Sequence, residues 1–448
     1  MTAARGLGID NDIAQYIASL VPSDRGLIRS LNQCYYGDEE NDMKPVAPFV
    51  QEMKQYPNLW EVASRIEGII CRTGIHAGGV IFVDEPFTDS AALMRAPDGT
   101  IITQFELHTA EKVSLIKYDA LSVEAEDKIQ NCLELLLKYG YIEDKGSLKA
   151  NYESTIGVYN LERNAPDMWK MVWEHKIQSL FQMEKDSGIQ GIALTKPKSV
   201  DDLATLNSVI RLMAQEKGAE QPLQKYARYK NDPSLWYKEM ELYGLTKEEQ
   251  KILEPILATS YGICESQEKF MTLVQIPECG GFDLNWADRL RKSIAKKNPK
   301  DYQLLEKEYF ERVEEKGLSK NLCEYVWHVL IATSRGYGFN QSHTLAYSLV
   351  GLQEMNLAYR FPIIFWNCAN LIVDSGAIEG LEDKTANYGK IAIAVNKIKA
   401  QTDTSVSPID INKSELSFTP DAENNKIYFG MAGLQGVGNE VCQQIIEN

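Results

Sequence analysis

The amino-acid sequence predicts a mostly α-helical protein with one small mixed α/β region, organised as more than one domain. Three observations carry that expectation. Apolar residues recur at three- and four-residue spacing over most of the length, and two-residue alternation is confined to short pieces. The third is size, since 448 residues exceed what one core ordinarily organises.

Taken in order, residues 1–74 read as helical, with IDNDIAQYIASLV and NLWEVASRIEGII giving amphipathic periods. Glycines then take over in TGIHAGGVIF, where Val80 to Val83 reads as a strand after a tight turn. IITQF and VSLIKYDAL (residues 113–121) are two further strands. In the latter, Val113, Leu115, Lys117, Asp119 and Leu121 share one face, so a lysine and a carboxylate stand among aliphatics in a segment expected to be buried. From Glu124 the pattern turns helical. Ile129, Cys132, Leu133, Leu136 and Leu137 form a stripe that Gly140 closes. Ser199 with Asp202, and Thr246 with Glu249, read as capping boxes. After Ile398, Pro408 and the alternating KSELSF and KIYFGM predict a small β element and a new domain. GLQGVGNEVCQQIIEN gives a Gly-x-Gly turn opening a last helix.

Composition narrows the class. Hydrophobic content of 44% with 25% charged residues suits a soluble globular chain. No apolar run is long enough to span a membrane, and MTAARGLGID lacks a secretory core. Eight cysteines without a Cys-x-x-Cys pair point to reduced thiols and a cytoplasmic setting. A net charge of −16 argues against a general electrostatic sponge for nucleic acid. Yet WADRLRKSIAKKNPK, residues 286–300, carries six lysines and arginines against one aspartate.

Each candidate residue has a bland reading beside the functional one. Asp119 is either a structural ion-pair partner of Lys117 or a metal ligand, although one carboxylate is a poor metal site. His76 is either satisfied by backbone in its glycine turn or reaches a phosphate. The basic block reads as one helix capped by Asp283 or Asn285, with Arg289, Lys292, Lys296 and Lys300 along one side. It is either a solvated face or a phosphate-binding ridge. GYGFNQSHTLAYSL is a core turn, or an aromatic and polar set that stacks on and reads a nucleobase. GLQGVGNEV is an ordinary turn, or a backbone-amide cradle for phosphate.

Together, TGIHAGGVIF, TQFELHTAEKVSLIKYDAL, LFQMEKDSGIQ, LATLNSVIR, YGICESQEKFM, ADRLRKSIAKK, RGYGFNQSHTLAYSLVGLQ and PIDINKSELSF resemble the successive landmarks of bacterial DNA polymerase III alpha subunits. The resemblance implies a palm of the polymerase-beta-like nucleotidyltransferase type, a helical thumb inserted into it and large helical fingers. Residues 1–74 would be thumb, 75–124 the C-terminal half of the palm and 125–398 fingers. Residues 399–448 would start a helix-hairpin-helix and clamp-binding region. Asp119 matches the third metal-binding aspartate and Lys117 the basic residue on its strand, for a two-Mg²⁺ primer extension with deoxynucleoside triphosphates. His76, Arg211, Arg291, Lys292, Lys296 and Lys297 would contact triphosphate or template backbone. Tyr337, Asn340, Ser342 and His343 would flank the nascent base pair.

The resemblance also implies partners: primer–template DNA, the sliding clamp and other replisome proteins, and no membrane. The family's first two aspartates lie in a Pro-Asp-x-Asp-x-Asp-type strand that this sequence does not contain. The expectation is therefore the middle of a polymerase, inactive alone, completed by an upstream segment or a second chain. LMAQEKG follows Arg211 where the family has an arginine-proline-glycine-proline run, with Arg228 and Lys230 in YARYKND as the next basic pair. LRKSIAKK mixes lysine into an arginine-rich motif. These departures suit a phage-like member. The alternatives are a catalytically inactive nucleic-acid or replisome-binding module, and an unrelated helical scaffold.

Overall fold

The computed structural model describes residues 1–24, 27–38, 43–70, 74–76, 78–120, 123–212, 220–296, 299–334, 338–376, 387–434 and 437–447. The chain is mostly helical with small sheets and divides into two compact units, Met1–Leu121 and Ser122–Asn448. Among the described residues no helix is long and apolar enough to cross a membrane.

The first unit opens with helices whose starts are written locally. Asp10 caps α1 (Asn11–Ser19) by accepting the Asp12 and Ile13 amides, and a Ser30–Gln33 capping box opens α2 (Leu31–Tyr36). Prolines sit in the first turns of α3 (Ala47–Gln55) and α4 (Pro57–Ile66), where the absent N–H has no helical partner to lose. Ile17, Cys34, Phe49, Met53 and Leu59 pack together, with Tyr35 stacked on Trp60 at 4.2 Å.

Two antiparallel strand pairs follow. β1 (Gly79–Ile81) pairs with β4 (Lys117–Asp119), and β2 (Leu93–Arg95) with β3 (Ile101–Thr103). Helix α5 (Leu107–Lys112), capped by Glu106, leads into β4, and Ala91, Ala110 and Leu115 form a small core. The nine-residue strand expected over 113–121 is shorter, because Val113 closes α5 and Ser114 turns the chain at φ +63°. Leu115 alone is buried, while Val113, Ile116 and Tyr118 are exposed. Leu121 lies outside the described residues. The premise of a buried charged pair therefore fails: the side chains of Lys117 and Asp119 are 22% and 49% exposed.

In the second unit, α6 (Glu124–Lys138) buries Ile129, Cys132, Leu133 and Leu136, and Gly140 follows its end at φ +74°. Ser199 caps α7 (Val200–Val209), but Asp202 completes only half of the expected box. Its carboxylate accepts the Lys198 amide and pairs with Lys230 at 2.7 Å. Thr246 and Glu249 form the full reciprocal box at the start of α8 (Lys247–Leu257).

Next come α9 (Gln267–Gln275), α10 (Leu284–Lys296) and α11 (Pro299–Glu315). The Asp283 carboxylate accepts the Trp286 amide at 2.8 Å, as a cap should. The basic block is two helices rather than one: α10 stops at Lys296 and Pro299 opens α11, so Lys300 leaves the expected stripe. Trp236, Phe270, Leu290, Tyr309 and Trp327 fill one core around α8–α11.

A second core joins α6 and α7 to α12 (Gln341–Arg360), α13 (Ile363–Ser375) and α14 (Tyr388–Gln401), with Trp169, Leu206, Phe365 and Trp366 at its centre. The expected β element is present, as β5 (Ser405–Ser407), β6 (Thr419–Asp421) and β7 (Lys426–Tyr428) in the order β5–β7–β6. Phe418 and Ile427 belong to that same core, so the sheet is packed into it rather than set apart. Helix α15 (Asn439–Glu447) ends the described chain; Gln435 and Gly436 of the Gly-x-Gly turn lie outside it.

Candidate functional site

The β1–β4 register sets Gly79 opposite Asp119 and Ile81 opposite Lys117. Side-chain alternation then puts Lys117 and Asp119 on one face, and the Lys117 ammonium lies 3.0 Å from Asp119 Oδ1. Asp119 Oδ2 has no partner among the described residues. The glycine turn before β1 brings in His76. Its Nδ1 accepts the amides of Gly78 at 3.1 Å and Gly79 at 2.7 Å, and its Nε2 stands 3.4 Å from Lys117 Nζ. Both readings of His76 thus meet here: backbone satisfies one nitrogen, and the other faces the charged pair. Gly79 is required by the approach, because a Cβ there would fall 2.9 Å from His76 Nδ1 and 3.1 Å from Lys117 Cδ. Three residues from two separate segments of the sequence thus meet at one place.

The opposite face of this ribbon is apolar and open. Val80, Phe82, Ile116 and Tyr118 are all exposed, and Phe82 meets Tyr118 edge-on at 5.3 Å. Phe82, Ile116 and Tyr118 border a groove of about 590 Å³ that Asp84 and Glu85 also line. An isolated two-stranded ribbon is marginally stable in water, and such a patch marks a surface that something covers.

The second unit gathers another set. Arg211, at the end of α7, bonds Asn207 and the Gln182 side chain, and its guanidinium lies 4.6 Å from the centre of the Phe339 ring. Phe339 meets His343 at 5.3 Å, His343 meets Tyr347 at 3.8 Å, and Tyr347 meets Phe181 at 4.9 Å. Enclosure by these neighbours, then the Arg211 charge, lowers the His343 pKa.

Asn340 serves as the cap of α12. Its Oδ1 accepts the His343 amide at 2.9 Å and the Ser342 hydroxyl at 2.6 Å. Its Nδ2 donates to Glu268 at 2.8 Å, and Glu268 also accepts the Gln341 amide at 2.9 Å. The run Asn340–Ser342–His343 therefore has a local explanation: the first two hold the helix start, leaving the His343 ring with the aromatics. Tyr337 lies outside the described residues.

On α10 the positive charge is partly spent within the protein. Arg289 makes a two-pronged pair with Glu308 at 3.0 and 3.2 Å, and Trp286 Nε1 donates to the same carboxylate. Arg291 and Lys292 share Asp288, each at 2.7 Å, and these bonds hold its carboxyl below the usual range. Lys292 remains 59% exposed. Lys296 is the last residue of α10, and Lys297 lies outside the described residues. Lys230 is tied to Asp202, and Arg228 to Glu220 at 2.7 Å.

Sequence reasoning passed over Gln182, Phe339, Tyr347 and Glu268. Two signals were available. Tyr347 follows His343 by four residues, the spacing of helix neighbours, and Phe339 is the aromatic inside the selected motif. The Glu268–Asn340 link joins separate segments and leaves no local trace. Among the described residues no three His, Cys, Asp or Glu side chains are gathered as a metal site.

Residues 143–317 match the family described as bacterial DNA polymerase III alpha subunit finger domain, and residues 1–122 the bacterial DNA polymerase III alpha NTPase domain. Residues 403–448 match a helix-hairpin-helix motif. The chain is 40% identical to the DNA-directed DNA polymerase of Bacillus phage SPbeta, over 100% of this chain and 34% of that protein. It is 29% identical to the DNA polymerase III subunit alpha of Treponema pallidum, covering 96% of this chain and 33% of the relative. For the Aquifex aeolicus subunit the figures are 26%, 99% and 36%. The chain spans about a third of the length of the curated relatives it matches. It belongs to the bacterial DNA polymerase III alpha subunit family.

Proposed function

We propose that this chain forms part of a DNA-directed DNA polymerase that extends a primer with deoxynucleoside triphosphates. Residues 1–74 serve as thumb, 75–124 as half of the palm, 125–398 as fingers and 399–448 as a DNA-contacting region near a clamp-binding segment. The observation that carries this reading is the β4 carboxylate: Asp119 stands exposed on its strand, one oxygen on Lys117 and the other free among the described residues.

Mg²⁺ in phosphoryl transfer takes one or two carboxylates plus phosphates and waters, and a two-ion site needs more. Asp119 fits as one such ligand, and the remaining carboxylates must come from elsewhere. When bound, the metal would supply Lewis-acid stabilisation of the attacking and leaving oxygens. Asp119 would hold and orient, while Lys117 would neutralise phosphate charge from the same face. We place the missing carboxylates on an upstream segment or a second chain. The open apolar face of Val80, Phe82, Ile116 and Tyr118 supports this, since a further layer of the palm packed on that face would cover it.

The test is primer extension by this 448-residue chain alone and together with a segment carrying an Asp-x-Asp strand. Activity only in the mixture is the expected result, and robust extension by the chain alone overturns the site assignment. In the same assembly, Lys292→Ala should flatten the slope of log affinity for DNA against log salt by about 0.9, one phosphate's worth. An unchanged slope removes Lys292 from the interface. A second reading, a non-catalytic nucleic-acid-binding module, draws on the helix-hairpin-helix match over residues 403–448. It predicts DNA binding that survives loss of Asp119.

A further inference from the structure

We propose that a cavity between the end of α6 and the β6–β7 hairpin docks one arginine side chain of a partner polypeptide. The cavity shares no residue with the candidate metal and nucleotide contacts, and its role does not rest on the polymerase reading.

Local structure sets the walls. Gly140, at φ +74°, turns the chain after α6, and the tyrosines on either side of it, Tyr139 and Tyr141, both pack on the buried Phe365 at 5.4 and 4.8 Å. Pro420 of β6 and Tyr428 of β7 complete an aromatic and apolar lining around about 490 Å³.

Two of the protein's own lysines show what such walls hold. Lys413 Nζ lies 5.3 Å from the centre of the Tyr428 ring and 3.3 Å from Asp421, and these two neighbours hold its pKa above the ordinary value. Asp421 also accepts the Asn424 amide and side chain. Lys138 bonds Glu415 and stands 6.0 Å from the centre of the Tyr139 ring. Each lysine is a cation shared by a π face and a carboxylate. One further ring and one further carboxylate line the same cavity. Tyr141 is 44% exposed with no cation over its ring, and Glu423 is exposed with no partner, both among the described residues.

Three carboxylates and a single lysine line this space, so it attracts a cation and repels a phosphate, although residues 399–448 are proposed to contact DNA elsewhere. Arginine fits better than lysine. Its planar guanidinium stacks on an aromatic face while donating to a carboxylate, and it is more weakly hydrated. The contact is through a side chain rather than an added strand. β6 is an edge strand among the described residues, and Pro420 within it has no N–H for an incoming backbone.

The test is a saturation-transfer NMR titration of the full chain with acetyl-Ala-Arg-Ala-amide, its lysine counterpart and its citrulline counterpart, which is planar but uncharged. The arginine peptide should bind in the millimolar range, the lysine form about threefold and the citrulline form about tenfold more weakly. Glu423→Gln, at an exposed position that leaves the fold intact, should weaken the arginine peptide about fivefold. Lys413→Met, which frees the Tyr428 face and Asp421, should strengthen it by about as much. Absence of saturation transfer, or unchanged affinity in either variant, overturns the proposal. Equal binding of the arginine and lysine peptides marks adventitious attraction to a chain of net charge −16 and overturns it too. Displacement of the arginine peptide by single-stranded oligothymidylate makes the cavity a base-stacking site and likewise overturns the assignment.

Discussion

Asp119→Ala is expected to lower primer extension by the assembled polymerase by on the order of 10³-fold or more, while leaving the protein folded. The two halves of that expectation come from the same geometry. The Asp119 side chain is half exposed and makes one ion pair, with Lys117 at 3.0 Å. Exposed pairs contribute about 0–1 kcal/mol, so the melting temperature should barely move. On the proposed polymerase reading, in contrast, the reaction needs a negative oxygen at that point to hold a cation. Asp119→Asn keeps the shape, loses the charge and should fail almost as badly. Gel-based extension assays beside thermal melts decide the matter. A variant that melts normally and still extends primers would remove Asp119 from the chemistry and return it to its bland role as the partner of Lys117. A variant that fails to fold would contradict its exposure.

The polarity of this site was legible in the sequence, whereas its depth was not. Alternation in VSLIKYDAL correctly puts Lys117 and Asp119 on one face, since period two is a property of any strand. It could not reveal that only three residues pair, because Val113 closing α5 and Ser114 at positive φ give the same apolar spacing. Caps were readable for a similar reason: Thr246–Glu249, Asp283 and Gly140 act within one turn of themselves. Even there Asp202 chose the Lys198 amide and Lys230 over the expected box, a tertiary preference. The break before Pro299 is written in the proline's missing donor, although the lysine spacing by itself continues the stripe across it. What no local pattern holds is the meeting of Gln182, Arg211, Phe339 and Tyr347. Those contacts exist only because α7 and α12 pack in one core.

The largest stability effect is expected away from β4, at Lys128. Its side chain is 7% exposed and bonds Glu124 at 3.1 Å, Asp374 at 3.2 Å and the Ser179 hydroxyl at 3.2 Å. Burial alone would lower its pKa, but the two carboxylates outweigh it and the ammonium is held above its ordinary value. Asp374 behaves oppositely: burial raises its pKa and Lys128 opposes this only in part. Lys128→Met keeps the aliphatic stem and leaves Asp374, 17% exposed, without its main cation. Breaking a buried pair from one side costs about 3–5 kcal/mol, and a loss near the lower end is expected because Asp374 can take up a proton. That escape fixes the pH dependence. A carboxyl whose folded pKa is raised favours the folded state at low pH and loses that advantage as pH rises through the folded value. The deficit of K128M should therefore be smallest below the ordinary carboxylate range and grow toward neutrality, in denaturant titrations at several pH values. Removing both charges, as Lys128→Met with Asp374→Asn, should recover the loss to within about 1 kcal/mol. A K128M protein as stable as the parent at neutral pH would show that the cluster contributes nothing. The same substitution reaches the candidate DNA interface. Ser179 and Gln182, at φ +52° and +68°, belong to the turn that carries the Arg211 partner, and Lys128 fastens one side of it. The buried Glu354 carboxylate fastens the other by accepting the Phe181 amide at 2.7 Å. Amide exchange over residues 179–182 that speeds up in K128M by more than the global loss of stability accounts for would tie that buried ion cluster to the placement of Arg211.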